Sequence, residues 1–530
     1  MNHYYLFIKL LYLAWIALLF INFSYLKSLC KNVSKKGWLL LLIIMCFGLI
    51  LRVWLVPHMH HIYFDEFEHI NIAENMMNYG KYFVTLEGGS GFYESYKFEF
   101  WPPGYHSLLA GTFFLFGSST DVAFNFSAIM GGFSILVMFV AVFSLLGRQT
   151  IALYAAFLLS ILPIHLKYSG SASPEITSLC FIIIGLIACL NHIRNPGQKS
   201  LNFAIISIAV IAYMRPENGL FVILLLLLLF FGGNFFAPRS NDQRFFQCPK
   251  NTKICSNCFK ALGLLFVLLV PYVVHIFGIG IFVLPSPGWN QTLLEHLSAI
   301  KINAIDNIFY FFFDTYPVSV TILAILGASH LYKKHRPIFV YFIIWFFVTI
   351  AFFSLYHIGN FMFNPDSDRY ALTPSIAIII FAGFGLYELI AIFNKKKIII
   401  FLLFLSVLTD GYACLGFSLF RTFERDVYQE YQFILKNQKI IPDDLYCISF
   451  VPATIISSIH KKAVAPFLFM ENEDLPREII LFKDEWWYVH DFNQDRIEKR
   501  LREQYEFKPI TELITPENKK YTFFKLKIKS

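Results

Sequence analysis

Two adjacent carboxylates, Asp65 and Glu66, stand in the run HHIYFDEFEHINIAENMMNYG. A carboxylate pair can act as a general base or hold a cation. It can also simply favour the start of a helix, where the backbone dipole attracts negative charge. Further along come Glu175 in SGSASPE, Arg215 and Glu217 in MRPENG, Asp314 in FYFFFDTYP, and Asp366, Asp368 and Arg369 in NPDSDRYALTPS. An arginine at such a place can clamp a phosphate through two parallel N–H donors; Arg215 and Glu217 can equally close a turn as a local ion pair. Twin prolines, Pro102 and Pro103, mark a sharp helix start. Cys248, Cys255 and Cys258 are spaced as in a zinc site, but no fourth ligand lies nearby, so they read as free thiols. Walker A, dinucleotide-binding, HExxH and GxSxG patterns are absent from the sequence, which leaves nucleotide-driven transport and serine hydrolysis without support.

The elements that must position these residues are membrane helices. Of 530 residues, 57% are hydrophobic and only 15% charged. A soluble domain could not hide that much apolar surface, so the bilayer is the solvent for most of the chain. Apolar runs long enough to cross it are read at 4–25, 37–57, 121–146, 150–168, 175–192, 200–214, 219–236, 261–284, 308–330, 337–357, 371–393 and 398–419. The expected fold is a polytopic α-helical membrane protein of about 12 spans. The stretch 103–117 covers only ~22 Å at ~1.5 Å per residue, short of the ~30 Å core. The basic loops 27–36, 237–260, 333–336 and 395–397 fall on one side only if 103–117 does not cross. It is therefore expected to lie in the interface or re-enter. The N-terminus, the loop 58–102 and the tail 421–530 are then outside the cytoplasm, and Asp65, Glu66, Glu175, Arg215 and Arg369 gather on that outer face. Residues 65–79 have apolar positions that suit an amphipathic helix lying on the membrane. The tail is charged, with short apolar runs at 445–451, 478–482 and 521–528 and helical stretches at 426–437 and 494–503. It reads as a small soluble α/β domain. The net charge of +8 reflects basic cytoplasmic loops, not a nucleic-acid surface.

In order along the chain, YFDEFEHINIAENMMNYG, FEFWPPGYHSLLAG, SGSASPE, MRPENG and DRYALTPS resemble the GT-C glycosyltransferases. The branch that looks most similar is that of protein O-mannosyltransferases and aminoarabinose transferases, glycosyltransferase family 39 and its relatives. Set against that family, the chain divides into an N-terminal helix and basic loop (1–36) that precede the family's usual first span, a transmembrane catalytic domain (37–420) and an outer domain (421–530). The resemblance implies transfer of a sugar, with inversion, from a polyprenyl-phosphate donor to a protein, lipid or glycan acceptor on the non-cytoplasmic face of the membrane, expected to be a bacterial inner membrane. Asp65 stands at the position of the catalytic base, beside Glu66. Glu175 stands where the family usually has Asp, a position that could hold a divalent cation. Arg369, helped by Arg215, stands where a cation meets the lipid phosphate. Trp101, where a Lys is often found, joins Pro102 and Pro103 in lining the substrate. The alternative class is a multi-span transporter or lipid flippase. Such proteins tend to show paired repeats and midplane charges; here the polar residues crowd one face and no repeat is visible.

Overall fold

The structure, a computed structural model, describes residues 2–89, 92–97, 101–235, 254–279, 301, 303–309, 316–354, 365–393, 398–399, 401–402, 405–406, 409, 422–471, 476–483, 492–515 and 518–529. The chain opens with α1 (Asn2–Ile21), α2 (Phe23–Lys31) and α3 (Lys35–Ile50), which runs on into a π-helical turn, Leu51–Leu55. Then come α4 (Tyr63–Tyr79) and a hairpin of β1 (Val84–Gly89) and β2 (Phe92–Lys97). The bundle continues with α5 (Gly104–Phe116), α6 (Thr120–Leu146), α7 (Gln149–Ile161), α8 (Pro163–Ser169), α9 (Glu175–Arg194), α10 (Gln198–Ala212), α11 (Gly219–Phe235) and α12 (Ile254–Ile279). It closes with α13 (Val318–Lys334), α14 (Arg336–Ser354), a 3₁₀ segment Pro365–Leu372 and α15 (Ser375–Phe393).

Among the described residues, five helices are long and apolar enough to cross a bilayer alone, and seven if each of two bent pairs counts as one span. The chain is thus a polytopic helical membrane protein. The two bent pairs, α1–α2 (43°) and α7–α8 (59°), are the expected spans 4–25 and 150–168. Helix α5 has 13 residues, ~20 Å of rise, and ends in exposed Phe114, Leu115 and Phe116. Most of the expected span 398–419 lies outside the described residues.

The break at α7–α8 has a chemical cause. Pro163 has no N–H, so the Leu159 carbonyl loses its i+4 donor and keeps only a long bond from Leu162 N at 3.5 Å. Arg52, fully buried in the π-turn, supplies the replacement. Its Nη2 donates to Leu159 O at 3.2 Å and its Nη1 to Ser160 O at 2.9 Å. Its remaining contacts are Gly48 O (2.7 Å), Ser169 Oγ (3.2 Å) and His165 Nδ1 (2.7 Å). A charge in hydrocarbon is tolerated only when satisfied in this way. Gly131 makes the room: a Cβ there would stand 2.3 Å from Ser169 Oγ and 2.9 Å from Arg52 Nε.

One expectation is corrected. Helix α4 does not lie on a membrane surface with a wet face. Phe67, Ile70, Ile72 and Met76 are buried, but so are Glu66, Glu68, His69, Asn71, Glu74 and Asn75. It packs between α5, β1 and the tail helix α17 (Pro452–Ile459). Its polar residues find partners in protein, not in water: Asn75 donates to Phe83 O (3.1 Å) and Thr85 Oγ1 (3.0 Å), and Lys97 donates to Glu68 (3.0 Å).

The tail contributes α16 (Thr422–Lys436), β3 (Cys447–Ile448), α17, β4 (Ala463–Val464), α18 (Pro466–Glu471), β5 (Glu478–Lys483), α19 (Phe492–Gln504), β6 (Tyr505–Ile514) and β7 (Lys520–Ile528). Three of these strands and two of the helices coincide with the stretches read from sequence. The tail is not a self-contained sheet, however. The order is β2-β1-β4-β3-β5-β7-β6, so the hairpin from the first outer loop extends it. The join is β1 to β4, with Glu87 opposite Val464 and Gly88 opposite Ala463. The hairpin of the first loop and the strands of the tail thus share one sheet.

Candidate active site

Four segments converge on one ionic cluster. Asp65 comes from the first turn of α4, Glu175 from the first turn of α9, Arg215 and Glu217 from the turn between α10 and α11, and Arg369 from the 3₁₀ segment. Arg369 Nη1 lies 3.1 Å from Asp65 Oδ2 and 3.9 Å from Glu175 Oε1. Arg215 Nη1 lies 3.0 Å from Glu175 Oε1, and its Nη2 pairs with Glu217. Glu175 is buried, and the other four side chains are between 7% and 15% exposed. Two guanidinium groups therefore bridge three carboxylates in a nearly dry site, where charge–charge interactions are strong.

The guanidinium groups are held in place by a ring. Arg369 Cζ lies 5.2 Å and Arg215 Cζ 5.5 Å from the centroid of Tyr370, which stacks on Phe353 at 4.6 Å. Burial pushes the Tyr370 phenol up, so it stays neutral and offers an undisturbed π-face to the two cations. Behind Arg369, Asp368 accepts from Lys167 Nζ at 2.6 Å and from the Tyr168 hydroxyl, and both side chains of the Lys167–Asp368 pair are fully buried. This pair ties α8 to the 3₁₀ segment.

Glu66, next to Asp65, faces the other way. It accepts from His61 N (2.6 Å), Ile62 N (2.9 Å), Ser171 Oγ (2.8 Å) and Ala172 N (2.7 Å), with His60 Nδ1 at 3.1 Å. These contacts clip the loop before α4 to the loop before α9, so the two segments carrying Asp65 and Glu175 are held in register. His61, buried beside Tyr168, is held neutral by burial and by the neighbouring Lys167 and His60.

Trp101 and Pro102 contact histidines of α4 and α5. The Trp101 ring is 5.3 Å from His69, and its carbonyl accepts from the Tyr82 hydroxyl. Gly104, after the proline pair, donates to Tyr213 O at 2.7 Å, and a Cβ there would sit 2.4 Å from that oxygen. Only glycine lets the start of α5 press against the chain just before Arg215.

The residues do not fit a resident divalent cation at Glu175. The described residues contain no group of three His, Cys, Asp or Glu side chains able to hold a metal, and guanidinium nitrogens stand against Glu175 where a cation would be. Asp314 and Cys248, and the side chains of Asp366, Cys255 and Cys258, lie outside the described residues. Sequence reading missed Arg52, Lys167, His69 and His106. The signal for the first two was present: each is a charge inside or at the end of an apolar run, and such charges mark function or structural necessity.

A family model described as "Family of unknown function (DUF6541)" matches residues 10–396. No curated protein matches the sequence. Solved structures do resemble the fold. ArnT from Cupriavidus metallidurans in the apo state aligns with TM-score 0.56 at 12% identity, covering 92% of this chain and 98% of that one. The same protein bound to undecaprenyl phosphate gives 0.53, with the same identity and coverage. The oligosaccharyltransferase AglB from Archaeoglobus fulgidus, in complex with an inhibitory peptide and a dolichol-phosphate, gives 0.51 at 12% identity over 92% of this chain and 74% of that one. Both proteins are GT-C superfamily members, and the fold seen here is of that kind.

Proposed function

The chain belongs to the DUF6541 family, whose function is unknown, and on that premise we propose that it is a membrane glycosyltransferase using a polyprenyl-phosphate-linked sugar. The observation that carries this reading is the convergence of Asp65, Glu175, Arg215 and Arg369. Asp65 and Arg369 meet although 304 residues separate them. A spacer or anchor has no need of such a cluster, and burying it is costly unless it works on something.

The donor phosphate takes the guanidinium groups of Arg369 and Arg215 from their carboxylates, through short charge-assisted bonds. The prenyl tail runs among the helices in lipid. Asp65, freed from Arg369, accepts the proton of the acceptor hydroxyl as its oxygen attacks the anomeric carbon. The C1–O bond to phosphate breaks on the opposite face, so configuration inverts and prenyl phosphate leaves with the electron pair. Once they have turned to the phosphate, the cations facing the developing charge contribute the larger share of the rate, since the chemical step itself needs no further reorganisation. Glu66 positions the two acidic segments. Trp101, Pro102 and Pro103 wall the substrate. The site and the sheet above it face away from the cytoplasm, where a protein, lipid or glycan acceptor is met and no nucleotide is needed.

The test is Asp65→Asn in the full membrane-inserted chain, assayed for sugar transfer from undecaprenyl-phosphate-linked donors. The expected loss is at least ~10²-fold, the lower end for a general base. Wild-type rates in a correctly inserted Asp65→Asn protein would overturn the assignment.

A further inference from the structure

The transfer reaction releases a proton, and the cluster itself is a poor place to leave it. Asp65 must be ionised again to face Arg369 at 3.1 Å once the phosphate has left. One helical turn along α4, on the same face, stands His69. It is 1% exposed, with the rings of Trp101 at 5.3 Å and Tyr105 at 5.8 Å.

Its hydrogen-bond chain sets its tautomer. His106 Nδ1 is 3.2 Å from the Pro102 carbonyl, which can only accept, so His106 carries its hydrogen on Nδ1. Neutral His106 then offers a lone pair at Nε2. His69 Nδ1 lies 2.9 Å from that atom and must be the donor. The remaining nitrogen, His69 Nε2, therefore bears a lone pair, and no hydrogen bond among the described residues occupies it. Burial, His106 and the guanidinium groups of Arg369 and Arg215 keep His69 neutral at rest. The ring thus lies within the field of both guanidinium groups of the cluster. A neutral imidazole with a defined lone pair, beside a carboxylate that must give up a proton, is suited to relay it.

We propose that His69 receives, through Nε2, the proton that Asp65 takes from the acceptor hydroxyl, and that the Pro102 carbonyl and His106 fix the tautomer that makes this possible. The inference rests on the transferase reading above. The acceptor oxygen forms its bond to C1 and loses H⁺ to Asp65. Asp65 passes H⁺ to His69 Nε2, and pairs with Arg369 again when the prenyl phosphate leaves. His69 then hands H⁺ to the departing prenyl phosphate, which already holds the electrons of the broken C1–O bond. No proton is left on the protein and no further reactant is required. The proline pair thus acquires a second duty: besides starting α5, it presents the carbonyl that orients His106.

The experiment compares wild type, His69→Asn, His69→Gln and His106→Gln as full chains in lipid nanodiscs. Two readouts are taken: binding of undecaprenyl phosphate, and kcat and KM for transfer from a panel of undecaprenyl-phosphate-linked hexoses and pentoses. The expected result is unchanged binding in all four. In both His69 variants kcat falls ~10²-fold or more at unchanged donor KM, in the range of proton-transfer groups. His106→Gln, whose side-chain oxygen can still accept from His69 Nδ1–H, lowers kcat less than the two His69 variants do. A purely structural role would instead lower binding and kcat together. If His69→Gln binds the lipid phosphate and turns over like wild type, the relay is wrong while the transferase reading stands. If wild type binds but transfers no sugar from any donor, the transferase reading fails and takes the relay with it.

Discussion

Asp65 and Glu66 are neighbours of the same chemical type with opposite duties, set by their surroundings. Asp65 is partly exposed and paired with a guanidinium; Glu66 is buried among backbone and hydroxyl donors. Asp65→Asn should abolish transfer while lowering the thermal midpoint less than a change at Glu66 does, since Asp65 is the more exposed of the two. Glu66→Gln should be the less stable variant. It turns an acceptor toward donors as an amide N–H₂, at a cost of about 2–4 kcal/mol for a buried charged hydrogen-bonding group left mismatched. Differential scanning of the two variants checks this, and equal midpoints would contradict it. At Arg369, the lysine variant keeps the charge but loses the planar fork and the stack on Tyr370. Arg369→Lys should weaken binding of undecaprenyl phosphate about tenfold or more, ~1.4 kcal/mol or above, read by titration. Asp65, Glu175, Arg215 and Arg369 could be named from sequence because charged residues are rare in this chain and stood out. His69 and His106 could not, since a histidine in a mixed helix carries no sign of its partner.

At the level of elements, the broken span α7–α8 presents Lys167 and Tyr168 to Asp368, and Arg52 makes the break tolerable. Arg52→Leu removes donors from the carbonyls of Leu159 and Ser160 in an apolar interior. The expected loss is about 3 kcal/mol or more, the usual cost of orphaned buried groups. Adding Pro163→Ala restores a backbone N–H for Leu159. The double variant should therefore be more stable than Arg52→Leu alone, and simple additivity of the two changes in a thermal-shift assay would refute the pairing. Sequence periodicity placed most helices to within a few residues, because lipid-length apolar runs are the strongest signal a chain carries. It misread α4. A helix whose polar and apolar residues are both buried has the same pattern as one floating on a membrane, and only its neighbours tell the two apart.

On the scale of the whole molecule, α4 is the keystone between bundle and sheet. Its Glu74 accepts from Ser457 Oγ of α17 at 3.2 Å, and burial pushes its carboxyl up to about 8 from an ordinary 4.5. The folded state therefore holds a proton that the unfolded chain releases near pH 4.5. Stability from this group is fully present below pH 4.5, declines through neutral pH and is lost above about 8. Hydrogen exchange of 452–459 should accordingly quicken between pH 6 and 9 beyond its intrinsic base dependence. Glu74→Gln should remove the excess and protect α17 at pH 9. An unchanged profile in that variant would assign the effect elsewhere.

The chain by itself determined its solvent and its apolar helices, and it set out a short list of charges in an apolar sequence. All of these are written in local composition, because hydrocarbon admits so few polar groups that each exception is legible. What only the tertiary structure decided is who meets whom. The guanidinium of Arg369 reaches Asp65 across 304 residues, β1 joins β4 to fuse the first loop with the tail, and a carbonyl at Pro102 chooses a tautomer on His69. Each depends on distances set by packing, which no local pattern encodes.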